Sequence, residues 1–227
     1  MNIFTTNINK IKMKALVLEK NNSFKIKDIK TKKLKPNECK IKIKSVGICS
    51  SDIQRSLNNG AYNYPLIMGH EISGIVIEIG KNVKIIKKNN KVSIYPLIPC
   101  KICIECQNEN YQLCYKYKYY GSRNDGGFSE YIVANEWNLI KINKNITYEN
   151  ASLIEPIAVV VSAINKLIIN KPKNNAKLLI IGGGFLGLIA LKILRQKYEK
   201  LQLSIIDKKN YKIKVAKKIT KYAFRHD

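Results

Sequence analysis

Cys100, Cys103, Cys106 and Cys114 place four sulfurs within fifteen residues, the first three separated by two-residue gaps. Short gaps of this kind let successive thiolates converge on one ion, and a structural zinc takes four such soft ligands tetrahedrally. Unpaired buried cysteines would need no such regularity. An iron–sulfur cluster is the alternative, since it too is held by four thiolates. Four protein ligands leave no open coordination position, so this site holds a loop together and does no chemistry.

A second set is dispersed. Gly47-Ile48-Cys49-Ser50-Ser51-Asp52 and Gly69-His70-Glu71 offer a thiolate, an imidazole and carboxylates, and Glu155 adds another carboxylate. A lone cysteine is commonly a small buried hydrophobe, and a lone histidine is commonly a core residue. Together, however, these types suit a zinc ion that keeps one position open. A third set is Gly182-Gly183-Gly184-Phe185-Leu186-Gly187, the pattern G-x-G-x-x-G. Gly182, Gly184 and Gly187 let a backbone turn tightly and approach a pyrophosphate at a helix N-terminus. Asp207 follows about 20 residues later, where a carboxylate binds ribose hydroxyls. It repels a 2′-phosphate, which favours NAD over NADP.

The elements that must position these residues change texture along the chain. Met13–Val17, Lys40–Lys44, Ile72–Ile79, Lys91–Tyr95 and Phe128–Val133 read as short strands bounded by Gly, Asn or Pro. Ala151–Ile169 reads as helical, with Pro156 in a first turn that tolerates it. Lys171-Pro172-Lys173-Asn174-Asn175 is a polar break. Beyond it come a strand at Leu178–Ile181, a helix at Phe185–Tyr198, a strand at Leu201–Ile206 and a helical period over Tyr211–Lys221. That order opens a doubly wound sheet. The predicted fold class is α/β, with a mostly-β domain first. The predicted organisation is a disordered extension over residues 1–12, a zinc-binding domain with a linking helix over 13–170, and a partial nucleotide-binding domain over 171–227.

Composition bounds the function. The formal charge is +25, but only four of 41 basic residues are arginines (Arg55, Arg123, Arg195 and Arg225), and the lysines are spread along the chain. Readers of nucleic acid cluster their basic residues and use Arg at base edges, so a genome-wide bias towards Lys, Asn and Ile accounts for the excess better. A basic nucleic-acid binder built on a zinc ribbon is a third reading, against which the glycine motif and Asp207 argue. No apolar run reaches the length of a membrane span, and no signal-peptide pattern opens the chain. The expectation is a cytoplasmic protein with neither nucleic-acid nor membrane partners. Cys39, outside both sets, reads as a buried strand residue.

The order Gly-Ile-Cys-Ser-Ser-Asp, Gly-His-Glu, the four-cysteine loop, Glu155-Pro156 and then the glycine motif resembles the zinc-containing medium-chain alcohol and polyol dehydrogenases. Within that family, Tyr64-Pro65-Leu66-Ile67-Met68-Gly69-His70-Glu71 and Gly121-Ser122-Arg123-Asn124-Asp125-Gly126-Gly127-Phe128-Ser129-Glu130-Tyr131 resemble the galactitol-1-phosphate 5-dehydrogenase branch, Asn124 standing where a second arginine is expected. The resemblance implies a GroES-like catalytic domain followed by a Rossmann domain. It implies two zinc ions, one catalytic and one structural, and NAD. Cys49, His70 and Glu155 would hold the catalytic zinc, with Glu71 nearby as an exchangeable or outer carboxylate. Ser51 would relay a proton and Asp52 would orient His70. The implied substrate is a polyol or polyol phosphate, and the full-length form a homo-oligomer.

A Rossmann domain needs two β-α-β-α-β halves, and this chain ends about 20 residues after Asp207, inside the first. The reading is therefore a C-terminally truncated dehydrogenase that binds zinc but turns over little substrate, its second parallel strand left with an open edge. The alternative is a non-catalytic zinc-binding remnant of such an enzyme.

Overall fold

A computed structural model describes residues 12–167 and 176–226. Most of the expected N-terminal extension and all of the Lys171–Asn175 break lie outside the described residues. The chain divides into two compact units, one up to Glu155 and one from Pro156 onward. The boundary therefore falls earlier than the polar break, for a packing reason. Val160 and Ile164 belong to the apolar core that also holds Leu191, Leu203 and Ile205.

The first unit contains strands β1 (Lys12–Lys20), β2 (Ser23–Lys30) and β3 (Glu38–Gly47), then helix α1 (Ser50–Gln54) and strand β4 (Leu66–Ile67). Strands β5 (Glu71–Ile79), β6 (Lys91–Ile94) and β7 (Leu97–Ile98) precede α2 (Ile104–Gln107). Strands β8 (Lys118–Tyr119), β9 (Tyr131–Asn135) and β10 (Leu139–Lys141) lead to α3 (Tyr148–Ser152) and α4 (Ile154–Leu167), which crosses the boundary. Five strands form an antiparallel sheet in the order β10-β6-β5-β3-β9, three form β2-β1-β4, and β7 and β8 make a separate ribbon. The five-stranded sheet buries Cys39, Ile41, Ile72, Val76, Val92, Ile94, Ile132 and Ala134, the inward residues that a period of two supplies. On β1, Met13, Ala15 and Val17 face a smaller core with Ile67. Lys12, placed in the extension by sequence, instead opens β1 and pairs with Lys30.

The segment expected as a strand from Phe128 is shifted, because its first residues have another task. Gly126, Gly127 and Phe128 donate their N–H groups to the carbonyls of Ile67, Gly69 and Met68 at 2.7, 2.8 and 2.9 Å. They thereby fix the backbone that delivers His70. Gly69 has φ +87° and lies where a Cβ would meet the Phe128 ring at 2.7 Å.

Glu136 ties this sheet to the loop before β6. One of its carboxylate oxygens accepts the N–H groups of Lys84, Ile85 and Ile86 at 3.0, 2.6 and 2.8 Å. Burial opposes ionisation, but these donors hold the carboxyl below its usual range. A lowered folded pKa contributes stability above the unfolded value of about 4.3, lost as pH falls through the folded one. Glu136→Ala is expected to cost about 2 kcal/mol at pH 7. In urea unfolding the gap to wild type should close in acid; a gap unchanged at low pH would refute the assignment.

The second unit is a parallel sheet β11-β12-β13 with α5 (Phe185–Lys197) and α6 (Asn210–Ala216), where β11 is Lys177–Ile181, β12 Gln202–Asp207 and β13 Ala223–Arg225. The helical reading to Lys221 is corrected, since α6 stops at Ala216. Thr220 Oγ1 then donates to the Leu203 carbonyl at 2.8 Å, and Ile205 N–H donates to the Tyr222 carbonyl at 2.9 Å. These bonds bring β13 alongside β12, so the open edge expected there is paired. Among the described residues no helix is long and apolar enough to cross a membrane.

Candidate active site and metal-ligand clusters

The four-cysteine loop runs from the end of β7 to the approach to β8. Cys103 caps α2, Cys106 sits within it, and Cys114 follows a single tight turn. Lys101 and Glu109 take positive φ of 63° and 59°, the local bends that fold the loop back on itself. The four sulfurs lie within 4.8 Å of one another, and Cys100 Sγ is 3.9 Å from Cys106 Sγ. Four sulfurs about 2.3 Å from one zinc ion would stand about 3.8 Å apart, so this spacing suits a metal and is far too long for a disulfide. Backbone N–H groups of Ile102 and Cys103 pull the Cys100 thiol down to about 6, whereas burial and Cys103 push Cys106 up to about 12. Four ionised sulfurs here need a cation among them.

The second cluster forms where β3 ends and β5 begins. Cys49 caps α1, and its N–H donates to Asp52 Oδ2 at 3.0 Å. His70 and Glu71 are buried beside it, and one donor atom from each of Cys49, His70 and Glu71 falls within the same 4.8 Å limit. Asp52 is buried, its Oδ1 3.4 Å from His70 Nδ1 and 3.9 Å from Arg55 Nη1. The ring of Tyr119 stands edge-on to His70, with centroids 5.9 Å apart, and its hydroxyl donates to Glu155 Oε1 at 3.0 Å. Burial would lower the His70 pKa, but Asp52, the Cys49 sulfur and Glu155 together raise it to about 10. Hydrogen bonds from His70 and Ser51 outweigh burial at Cys49 and lower its pKa. Thiolate and carboxylates thus collect around one imidazole, a donor set that calls for a positive charge.

In the second unit the glycine turn joins β11 to α5. Gly182 has φ +104°, and a Cβ on Gly182 or Gly184 would enter open space before the helix N-terminus, leaving that cradle free for a phosphate. Gly187 is required for another reason: its Cβ would lie 1.9 Å from the Gly182 carbonyl oxygen. Asp207 ends β12 and accepts from Lys209 N–H and Gly183 N–H, each at 2.8 Å, and from Lys212 Nζ at 3.1 Å. Those contacts, that of Lys209 foremost, keep its carboxyl below the usual range.

Residues 35–144 match the family described as the alcohol dehydrogenase GroES-like domain. The chain carries an alcohol dehydrogenase GroES-like domain and is similar to zinc-type alcohol and polyol dehydrogenases. It is 38% identical over 156 residues to galactitol 1-phosphate 5-dehydrogenase of Escherichia coli K12, covering 69% of this chain and 44% of that relative. The chain spans about half the length of the curated relatives it matches. The crystal structure of galactitol-1-phosphate dehydrogenase from Escherichia coli superimposes with a TM-score of 0.84 at 32% identity, over 94% of this chain and 61% of that one. A second crystal structure, an Escherichia coli CFT073 alcohol dehydrogenase (rspB) complexed with NADH, gives 0.87 at 26% identity, over 95% and 63%.

Within this dehydrogenase fold, Cys49, Ser51, Asp52, His70 and Glu71 come together, as do the four loop cysteines, and as do Gly182, Gly184, Gly187 and Asp207. Glu155 differs. Expected as the third ligand, its Oε1 accepts from the Tyr119 hydroxyl, and the carboxylate with an oxygen within 4.8 Å of the Cys49 and His70 donor atoms is that of Glu71. Room for Glu71 comes from Gly47, its partner across the β3–β5 ladder: a Cβ there would lie 1.9 Å from Glu71 Oε2. Gly47→Ala is expected to displace that carboxylate and weaken metal binding about 10- to 100-fold. Equal affinity in a metal titration would refute this. Sequence spacing does not single out Tyr119 or Arg55; Tyr119 lies in a tyrosine-rich run whose alternation hides it. Cys39 is buried in β3, as its position suggested.

Proposed function

We propose that this chain forms the metal-binding and adenosine-binding parts of a zinc-dependent, NAD-linked dehydrogenase acting on a secondary alcohol of a polyol or polyol phosphate resembling galactitol 1-phosphate. The observation that carries the reading is the convergence of Cys49, His70 and Glu71 beside the buried Asp52. Those three residues would hold a zinc ion with one position open, and the loop cysteines a second, closed one. When bound, zinc supplies Lewis acidity to the alcohol oxygen and the nicotinamide accepts the hydride.

The chain's own residues do the rest. Asp52 faces His70 Nδ1, which leaves Nε2 for the metal and fixes the ring orientation. The Ser51 hydroxyl, whose hydrogen bond helps lower the Cys49 pKa, would carry the alcohol proton outward. Tyr119 is held protonated by burial and by Glu155, so it donates and does not serve as a base. Gly182 and Gly184 clear space for the pyrophosphate. The Asp207 carboxylate supports NAD over NADP, although Lys212 offsets part of its charge.

The test combines metal content with NADH formation from galactitol 1-phosphate and from galactitol. Wild type should hold two zinc ions, and Cys49→Ala should lose one together with any NADH formation. NADH formation indifferent to Cys49, or folded wild type without metal, would overturn the reading.

A further inference from the structure

Arg123 is clamped. Its guanidinium carbon lies 3.9 Å from the centroid of the Tyr62 ring and 4.2 Å from that of Tyr117. Its backbone is fixed in a tight turn: Arg123 and Asn124 N–H both donate to the Tyr119 carbonyl at 3.0 Å, and Gly121 N–H donates to the Asn124 carbonyl at 2.7 Å. Yet among the described residues the Arg123 side chain has no carboxylate partner and no hydrogen-bond acceptor. The adjacent carboxylate, Asp125, is engaged by Lys32 at 3.1 Å and by Ile67 N–H at 3.3 Å. The group is half-buried, so two aromatic rings restrain it while its donors remain within reach of a ligand.

Arg55 approaches the same ring, its guanidinium carbon 5.9 Å from the Tyr62 centroid. Two of only four arginines in a chain with 41 basic residues thus meet at one tyrosine. Lysine would bring the charge without the planar fork, which matches carboxylate and phosphate oxygens in pairs. The stack is also linked to the metal cluster. Arg55 Nη1 lies 3.9 Å from Asp52 Oδ1, and the same oxygen is 3.4 Å from His70 Nδ1. Tyr117 packs on Arg123, and Tyr119 packs on His70.

We propose that Arg123, with Arg55 beside it, binds the phosphate monoester of an open-chain polyol phosphate whose carbinol lies at Cys49, His70 and Glu71. This rests on the dehydrogenase reading for the position of the carbinol, and it assigns substrate discrimination to the Tyr62–Arg123–Tyr117 stack. Arg123 supplies this charge from the first unit alone, independent of the glycine turn, while the charge of Arg55 is shared with Asp52.

The test measures binding of inorganic phosphate, galactitol 1-phosphate and galactitol to the full chain by calorimetry at about 0.15 M salt, where the diffuse lysine field is screened. Arg123→Lys and Arg123→Gln should each weaken both phosphate-bearing probes about 10- to 100-fold and leave galactitol unaffected. Tyr62→Leu, which removes one stacking face and no donor, should fall between them and wild type, and it covers the case of an Arg123 variant that fails to fold. Lys81→Gln, an equal loss of charge on an exposed turn, should change nothing. Phosphate binding that is absent from wild type, or equal in wild type, Arg123→Lys and Arg123→Gln, overturns the proposal. Metal content of wild type, compared with Cys49→Ala, separates the two readings: phosphate binding dependent on Arg123 in a wild type that holds no metal at Cys49 sinks the dehydrogenase reading alone, and metal held there with phosphate binding indifferent to Arg123 sinks the phosphate site alone.

Discussion

Replacement of Cys106 by alanine is expected to remove one metal ion per chain and to open the loop from Cys100 to Cys114, with the five-stranded core left standing. The loop has few means of holding itself. Ile102, Ile104, Leu113 and Tyr115 are exposed, α2 is a single turn, and two non-glycine residues carry positive φ. A closed four-sulfur zinc site contributes on the order of 10 kcal/mol to folding, far more than these contacts supply. The core of Ile41, Ile72, Val76 and Val92 contains none of the four cysteines, so the damage should be local. Trp137, the chain's single tryptophan, reports it directly: its ring lies 5.2 Å from that of Tyr111 and 4.9 Å from Lys101 Nζ, both within the loop. Loss of metal should shift its emission and expose the loop to protease, in Cys106→Ala or on treatment of wild type with a chelator. Unchanged emission in a metal-free protein would mean that packing, not metal, shapes the loop.

Much of this was legible because the relevant signals are local. Two-residue cysteine gaps define a convergent loop, period-two alternation marks β1, β3 and β5, and a glycine triplet between a strand and a helix has one common use. Long-range relations were not legible. The β2 strand carries alternating Phe24, Ile26 and lysines, but its side chains are mostly exposed, so no buried face advertises it. The last parallel strand is only three residues long and is recruited by the Leu203–Thr220 bond. The segment at Phe128 has strand composition, yet its backbone donors are taken by the carbonyls before His70. Arg123 looks like one basic residue among 41 until Tyr62 and Tyr117 are seen on its two faces. Glu71 and Glu155 are both carboxylates near the right cysteine and histidine, and only three-dimensional placement tells them apart.

That placement gives the second large effect: Glu71→Gln is expected to weaken metal binding at the Cys49 cluster more than about 100-fold, and Glu155→Gln by less than that. Glu71 offers a buried oxygen within the same small volume as the Cys49 sulfur and the His70 nitrogen. Burial raises its pKa, which His70 partly opposes, so the carboxylate is held in a place where ionisation needs a cation. Glu155 lies close enough to raise the pKa of His70 and Glu71, but one of its oxygens is committed to the Tyr119 hydroxyl. Replacing it by glutamine keeps an acceptor for Tyr119 and removes only a nearby charge. Glutamine at position 71 keeps the volume that Gly47 makes room for but loses the anionic ligand. The check is a competition titration with a chromophoric chelator, run on Cys106→Ala so that the four-cysteine site does not contribute. A larger loss for Glu155→Gln than for Glu71→Gln would reverse the assignment and return Glu155 to the ligand set. Equal small losses would show that Cys49 and His70 hold the metal with neither carboxylate.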